Sequence, residues 1–296
     1  MSLTDPVDVA LERALAKRPA GWVPPGPKPR GYAERPDLIP GNDEDLSFLT
    51  GDFRIFQRKD GHRWSLDDFA TALVAIEEAR AHGHVARALD MGCGIGSVLL
   101  MVAWAQPEAR LVGLEAQDLS ASLARRSIAF DGVDDRVEVR SGDLRDDALV
   151  PEGAVFDLIT GTPPYIPLGH GIVSDKVQRG PCCFETRGGI EDYALAAAKR
   201  LAPGGIFVAC AGAKPEGRTL GAAEAVGLVV RRHVEFIPRE GKATLFTVTA
   251  MGRRGEAHPP ARFERFVVRD ARCELTEEMH AARATMGLPP LDRRGG

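Results

Sequence analysis

The chain has 296 residues, 44% hydrophobic and 27% charged, with 42 acids against 38 Lys and Arg and a formal net charge of −4. That is enough apolar material for one large α/β domain with appendages. The acidic balance excludes a protein that coats nucleic acid through global positive charge, while leaving a local basic patch open.

From the N-terminus, MSLTDPVDVALERALAK lacks the continuous apolar segment of a secretory signal. Residues 4–17 can form a short amphipathic helix with Val7, Ala10, Leu11, Ala14 and Leu15 on one stripe. Pro19, Pro24, Pro25, Pro27, Pro29, Pro36 and Pro40 then exclude a continuous helix or central strand. Residues 19–40 therefore read as an extended arm, ordered only by packing on a core. Gly51 to Gln57 predicts a short strand, and Ser65 can cap a helix running through Phe69, Leu73 and Ile76.

A regular alternation follows. Strands are predicted at Ala86–Asp90, Leu111–Glu115, Val137–Arg140, Phe156–Thr160 and Ile206–Cys210, with helices at Ser97–Ala105, Ser120–Phe130 and Glu191–Leu201. Strands alternating with helices predict a parallel sheet covered on both faces. Val229–Ile237 and Thr244–Ala250 read as two strands joined by a short turn, hence antiparallel. Residues 252–296 are polar, with a helix expected at Glu274–Ala284. The expected fold is α/β: a Rossmann-like seven-stranded sheet, six strands parallel and one antiparallel, with helices on both faces. The expected organisation is an N-terminal helix and arm over 1–50, a main domain over 51–251 and an extension over 252–296. No apolar run reaches the roughly 18 residues that cross a bilayer. Cys93, Cys182, Cys183, Cys210 and Cys273 form no CxxC pair and no zinc-spaced cluster. The expectation is a cytoplasmic protein with reduced thiols and no metal.

The most informative segment is Asp90-Met-Gly92-Cys-Gly94-Ile-Gly96, between an apolar strand and a helix. Glycines there permit a tight turn and close approach of a ligand to the main chain, and the helix N-terminus offers unpaired N–H groups. The dinucleotide pattern G-x-G-x-x-G would need Gly or Ala at position 97, which is Ser97. Glu115 ends the next strand, where an acid can accept both hydroxyls of a ribose. Asp143, in Ser141-Gly-Asp-Leu144, ends the strand after that, and a turn residue is the alternative reading. Thr162-Pro163-Pro164-Tyr165 follows the fourth strand; a rigid turn is the alternative there too.

The glycine spacing resembles the S-adenosylmethionine loop. Thr162–Tyr165 resembles the (Asn/Asp/Ser)-Pro-Pro-aromatic motif of N-methyltransferases, with threonine in place of the commonest asparagine. More widely, residues 50–250 resemble the small-domain methyltransferases typified by bacterial tRNA(Val) adenine-N6 enzymes. The resemblance rests on Arg63-Trp-Ser-Leu-Asp67-Asp68, the glycine loop, Thr162–Tyr165, Arg187-Gly-Gly-Ile-Glu-Asp-Tyr193, Leu201-Ala-Pro-Gly-Gly205 and Pro238-Arg-Glu-Gly241-Lys.

The resemblance implies an enzyme with S-adenosyl-L-methionine as cofactor. Asp90, Gly92, Gly94, Gly96, Glu115, Asp143 and Leu144 would hold it, with Asp143 near the adenine amino group and Trp64 and Asp67 over the methionine end. Thr162, Pro163, Pro164 and Tyr165 would hold the acceptor nitrogen: a carbonyl and the first side chain accept from the NH₂, and the aromatic ring stacks on the flat group. Lys176, Arg179 and Arg187 could contact phosphates. The expected acceptor is an exocyclic base amine in RNA (tRNA or rRNA). A protein or small-molecule acceptor, an NAD(P)-dependent oxidoreductase and a non-catalytic cofactor-binding module are the alternatives.

Overall fold

The computed structural model describes residues 18–31, 35–164 and 188–291. The helix expected over 4–17, Tyr165 and the three cations at 176, 179 and 187 lie outside them. Within them the chain builds an eight-stranded sheet and a separate two-stranded one.

The small sheet comes first. β1 (Glu44–Thr50) and β2 (Phe53–Arg58) pair antiparallel around Gly51. The sequence reading found only the second strand, because Asn42-Asp-Glu-Asp45 has the polarity of a loop. An isolated hairpin is marginal in water. This one buries Phe53, Ile55 and Phe56 and donates from its free edge into a neighbouring helix: Phe56 N–H to Ser127 Oγ at 2.9 Å, Arg54 N–H to Asp131 Oδ1 at 2.8 Å.

The large sheet follows the alternation. α1 (Leu66–His82) precedes β3 (Arg87–Met91); then come α2 (Ser97–Ala105), β4 (Arg110–Glu115), α3 (Asp118–Asp131), β5 (Val137–Ser141) and β6 (Phe156–Gly161). After residue 187 the chain forms α4 (Ile190–Arg200), β7 (Leu201–Gly212), α5 (Arg218–Ala225), β8 (Leu228–Ile237), β9 (Phe246–Arg253), β10 (Arg262–Val267) and α6 (Glu277–Thr285). Strand order is β10-β8-β9-β7-β6-β3-β4-β5, and β9 alone runs against its neighbours. The seven expected strands are present with their one reversal. An eighth, β10, adds parallel to β8 at the edge. Its sequence, Arg-Phe-Glu-Arg-Phe-Val, is too charged to read as sheet interior. Edge strands need bury only one side, and here Phe266 is buried while Phe263 is exposed. The sequence reading also missed α5.

Strand residues alternate between two cores. Ala88, Leu158 and Val208 face α1, α2 and α3; Leu89, Ile159 and Phe207 face α4 and α5. The pattern follows from right-handed crossovers in a sheet that grows one way from β3 through β4 and β5 and the other way through β6 and β7. Ser65 starts α1 with its N–H donating to the Asp68 carboxylate at 3.0 Å. At the edge, Glu78 of α1 pairs with Arg262 of β10, and Arg232 of β8 bridges Glu77 (2.6 Å) and Glu264 (2.7 Å).

The proline-rich arm packs on this body. Gly31 N–H donates to Phe130 O at 2.9 Å, and Pro25 O accepts from Trp104 Nε1 at 3.3 Å. The backbones of Gly26, Gly51 and Gly287 all press on the Trp104 indole; a Cβ at any of them would lie within 2.6 Å of its ring. No described helix is long and apolar enough to cross a membrane.

Candidate active site

Parallel strands joined by helices converge their C-terminal ends on one edge, and a crevice opens between β3 and β6, where the strand order reverses. Here β3, β4, β5 and β6 deliver their ends to a cleft of about 590 Å³, within the usual range of small-molecule sites.

The floor is the turn after β3. Gly92 and Gly94 hold φ of +64° and +56°, which favour glycine. They do different work. A Cβ on Gly92 would lie 2.2 Å from the Tyr193 hydroxyl oxygen, so Gly92 admits that ring beneath the turn. A Cβ on Gly94 would meet nothing within 4 Å, so its bare backbone faces the cleft. Gly96 caps α2 against Ala124 and is not part of the lining.

Glu115 crosses from the end of β4. One carboxylate oxygen accepts from Gly94 N–H at 2.8 Å and the other from Gln117 N–H at 2.6 Å, so the acid locks the turn to its strand while still facing the cleft. Asp90 sits one layer below and does not line the cleft. It is 2% exposed; Oδ1 accepts from the Thr160 hydroxyl at 2.8 Å, and Oδ2 has no hydrogen-bond partner among the described residues. Burial, with Glu115 adding, pushes its carboxyl up to about 7. Asp68 at the start of α1 is also pushed up to about 7, by burial and then by Asp67. Asp67 itself accepts from the Ser65 hydroxyl and from Asp68 N–H at 3.1 Å.

Asp143 and Leu144 line the far end past β5. The Asp143 carboxylate is engaged by Arg145, whose Nε and a terminal nitrogen donate to its two oxygens at 2.8 and 2.6 Å. A base amine approaching it would share those oxygens with the guanidinium. Trp64 and Asp67 close the opposite end, and Thr162, Pro163 and Pro164 form a wall at the end of β6. The structure thus brings the expected residues into one cleft, except Asp90 and Gly96 beneath it and Tyr165 beyond the described residues.

Tyr193, Asp68, Ser97 and Gln117 also line the cleft and carried no role in the sequence reading. Tyr193 is 5% exposed and packs beneath both Gly92 and Gly161, joining the glycine turn to the end of β6. A tyrosine facing two glycines across a sheet leaves no pattern along the sequence.

The arrangement fits a nucleoside with a cationic tail. A hydrogen-bonded carboxylate at a strand end can accept a diol. Exposed backbone at Gly94 permits close stacking of a ligand. Carboxyls whose ionisation is suppressed by burial gain from a positive charge placed among them. S-adenosylmethionine has these features: a ribose, and a methionine end carrying an ammonium and a sulfonium.

Comparison with known proteins agrees. Residues 63–178 match the methyltransferase small domain family model. A tRNA1(Val) (adenine(37)-N6)-methyltransferase of Porphyromonas gingivalis is 38% identical over 81 residues, 26% of this chain and 31% of that protein. A release factor glutamine methyltransferase of Geobacter sulfurreducens is 38% identical over 96 residues, 32% of each chain. The chain thus spans about a third of the length of these curated relatives. Another release factor glutamine methyltransferase, of Deinococcus radiodurans, is 29% identical over 166 residues, 54% of this chain and 55% of that protein. Among solved structures, a predicted O-methyltransferase of Agrobacterium tumefaciens shares the fold with a TM-score of 0.52 at 20% identity, covering 75% of this chain and 99% of that one. Residues 63–178 thus resemble the methyltransferase small domain, and the chain shares its fold with a solved methyltransferase.

Proposed function

We propose that this chain transfers a methyl group from S-adenosylmethionine to a nitrogen acceptor, an exocyclic base amine of RNA. The observation that carries the reading is that Thr162-Pro163-Pro164 and the Glu115–Gly94 cradle share one cleft. When bound, the cofactor supplies a methyl group made electrophilic by a sulfonium. The protein's task is to bind and align. Glu115, already fixed by two backbone N–H groups, accepts the ribose hydroxyls. Asp143 and Leu144 flank the base, and Trp64 and Asp67 close over the methionine end.

On the acceptor side, two prolines stiffen the chain leaving β6. The Thr162 hydroxyl and a main-chain carbonyl of that segment accept from the amine, which orients its lone pair and favours the positive charge that grows on nitrogen. Thr162 has a shorter reach than an asparagine amide, so the acceptor must sit closer to the strand end.

The RNA reading takes support from the tRNA adenine-N6 relative. A protein acceptor is the second reading, favoured by the longer match to the release factor glutamine enzyme. The test is transfer of labelled methyl from S-adenosylmethionine, offered bulk tRNA and rRNA from a strain lacking this protein, beside a protein extract of the same cells. Label in an RNA base amine is the expected result. Label confined to protein overturns the RNA acceptor and leaves the methyltransferase reading standing.

A further inference from the structure

The eighth strand puts charge beside the cleft. Because β10 runs parallel to β8, the segment after it emerges on the edge of the sheet where the cleft opens. Beyond β6, that edge carries Lys214 after β7, Arg239 and Lys242 between β8 and β9, and Arg269 and Arg272 after β10. With neighbouring strands about 4.8 Å apart, these positions step outward from Thr162 over roughly 19 Å.

The outer part is built as one piece. Glu240 N–H donates to Arg269 O at 2.8 Å, and Ala271 N–H donates to the Glu240 carboxylate at 3.1 Å. Asp270 accepts from the N–H groups of Arg272 and Glu274 at 2.8 and 3.0 Å. Arg239 donates to Cys273 Sγ at 3.1 Å and Arg269 to Cys273 O at 2.6 Å. Glu240 and Asp270 thus serve the backbone of the platform. Among the described residues, none of its five cations has an ion-pair partner, and Lys214, Lys242, Arg269 and Arg272 are exposed. Elsewhere the arginines are mostly spoken for: Arg126 by Glu44, Arg145 by Asp143, Arg232 by Glu77 and Glu264. A row of unpaired cations leading away from an acceptor wall suits a polyanion whose methylated base is in the cleft and whose backbone runs outward.

We infer that the edge formed by Lys214, Arg239, Lys242, Arg269 and Arg272 is an RNA-backbone track continuous with the acceptor side of the cleft. The inference rests on the RNA reading above. Single-stranded or loop RNA is the occupant, since a base must be turned into the cleft while its phosphates stay outside.

The experiment uses the full chain and bulk tRNA from a strain lacking this protein, with binding followed across a salt series. The variant Arg269→Glu/Arg272→Glu is compared with Arg80→Glu/Arg110→Glu, an equal charge change on the opposite, strand-N-terminal edge. S-adenosylhomocysteine binding of each variant checks that the cleft is intact. The expected result is at least tenfold weaker RNA binding by the track variant. Its log–log salt slope should also be lower by about 1.4, the share of two single-strand phosphate contacts. The control variant should stay within threefold of wild type. Wild-type RNA binding that both variants weaken equally reduces the track to general charge and overturns it, while the RNA reading survives. If the track variant cannot bind S-adenosylhomocysteine, Lys214→Ala and Lys242→Ala replace it, with a threefold loss each expected and no loss overturning the track. No RNA binding by a wild type that methylates protein removes both.

Discussion

The two halves of the large sheet meet at β6 and are built on different principles. On one side, beyond the ends of β3, β4 and β5, the chain's own backbone and carboxylates make the binding surface: bare Gly94, Glu115 holding the loop, Asp143 at the far end. On the other side the segments after β7, β8 and β10 reach the same edge, and the surface there is made of exposed side chains. The first half is committed to one ligand by its backbone geometry. The second can change its acceptor by changing side chains, which is how one fold serves many substrates.

Breaking the first half should have the largest effect. Glu115→Ala removes a carboxylate that holds two N–H groups and faces the cleft. S-adenosylhomocysteine affinity should fall by about 2–3 kcal/mol, roughly 30–150-fold by calorimetry. An unchanged affinity would move the cofactor away from β4.

Gly92→Ala comes next. The new Cβ meets the Tyr193 hydroxyl at 2.2 Å and inherits φ of +64°. A loss of about 1–3 kcal/mol in thermal unfolding is expected. Adding Tyr193→Phe should restore part of it by removing the oxygen; a double variant no better than the single one would show that the collision is not the cause.

On the acceptor side, Thr162→Ala should lower kcat by about tenfold, roughly 1.4 kcal/mol, with cofactor affinity unchanged. Equal losses in both would place Thr162 with the first half and erase the distinction.

The smallest effect concerns pH. The Asp90 carboxyl titrates near 3.8 in an unfolded chain and at about 7 in the fold. Between those values the folded state holds a proton that the unfolded state has released, so this contribution to stability falls as pH rises from about 4 toward 7 and then levels. Asp90→Asn should flatten the decline in part, because Asp68 behaves alike. Melting curves at about pH 5 and about pH 8 decide it: the variant should gain on the wild type at the higher pH, and parallel behaviour would mean that Asp90 is ionised in the fold.

The sequence was most legible where βα units repeat. Apolar strands, a glycine turn and Ser65 each left a local mark, and α2 came out with its exact bounds. Strand ends were read to within a residue or two from β3 through β6. Legibility failed where structure depends on distant partners. β10 is a strand because β8, some 25 residues before it, lies beside it. Asp90 sits next to the right glycines but below the cleft, since alternation along β3 turns its side chain with that of Ala88 to the buried face under α1, α2 and α3. Tyr193 was visible as part of a motif, yet its place under Gly92 depends on α4 lying across the sheet from β3.

The Trp104 clasp has an optical consequence. Of the three tryptophans, Trp64 lines the cleft and Trp104 is gripped by arm, hairpin turn and the Gly287 backbone. Release of the arm would wet the Trp104 indole and shift its emission to the red, while a ligand entering the cleft would perturb Trp64. Trp22 lies in the arm and would report with Trp104; Trp64→Phe therefore leaves a probe of the arm alone, and Trp22→Phe/Trp104→Phe a probe of the cleft alone.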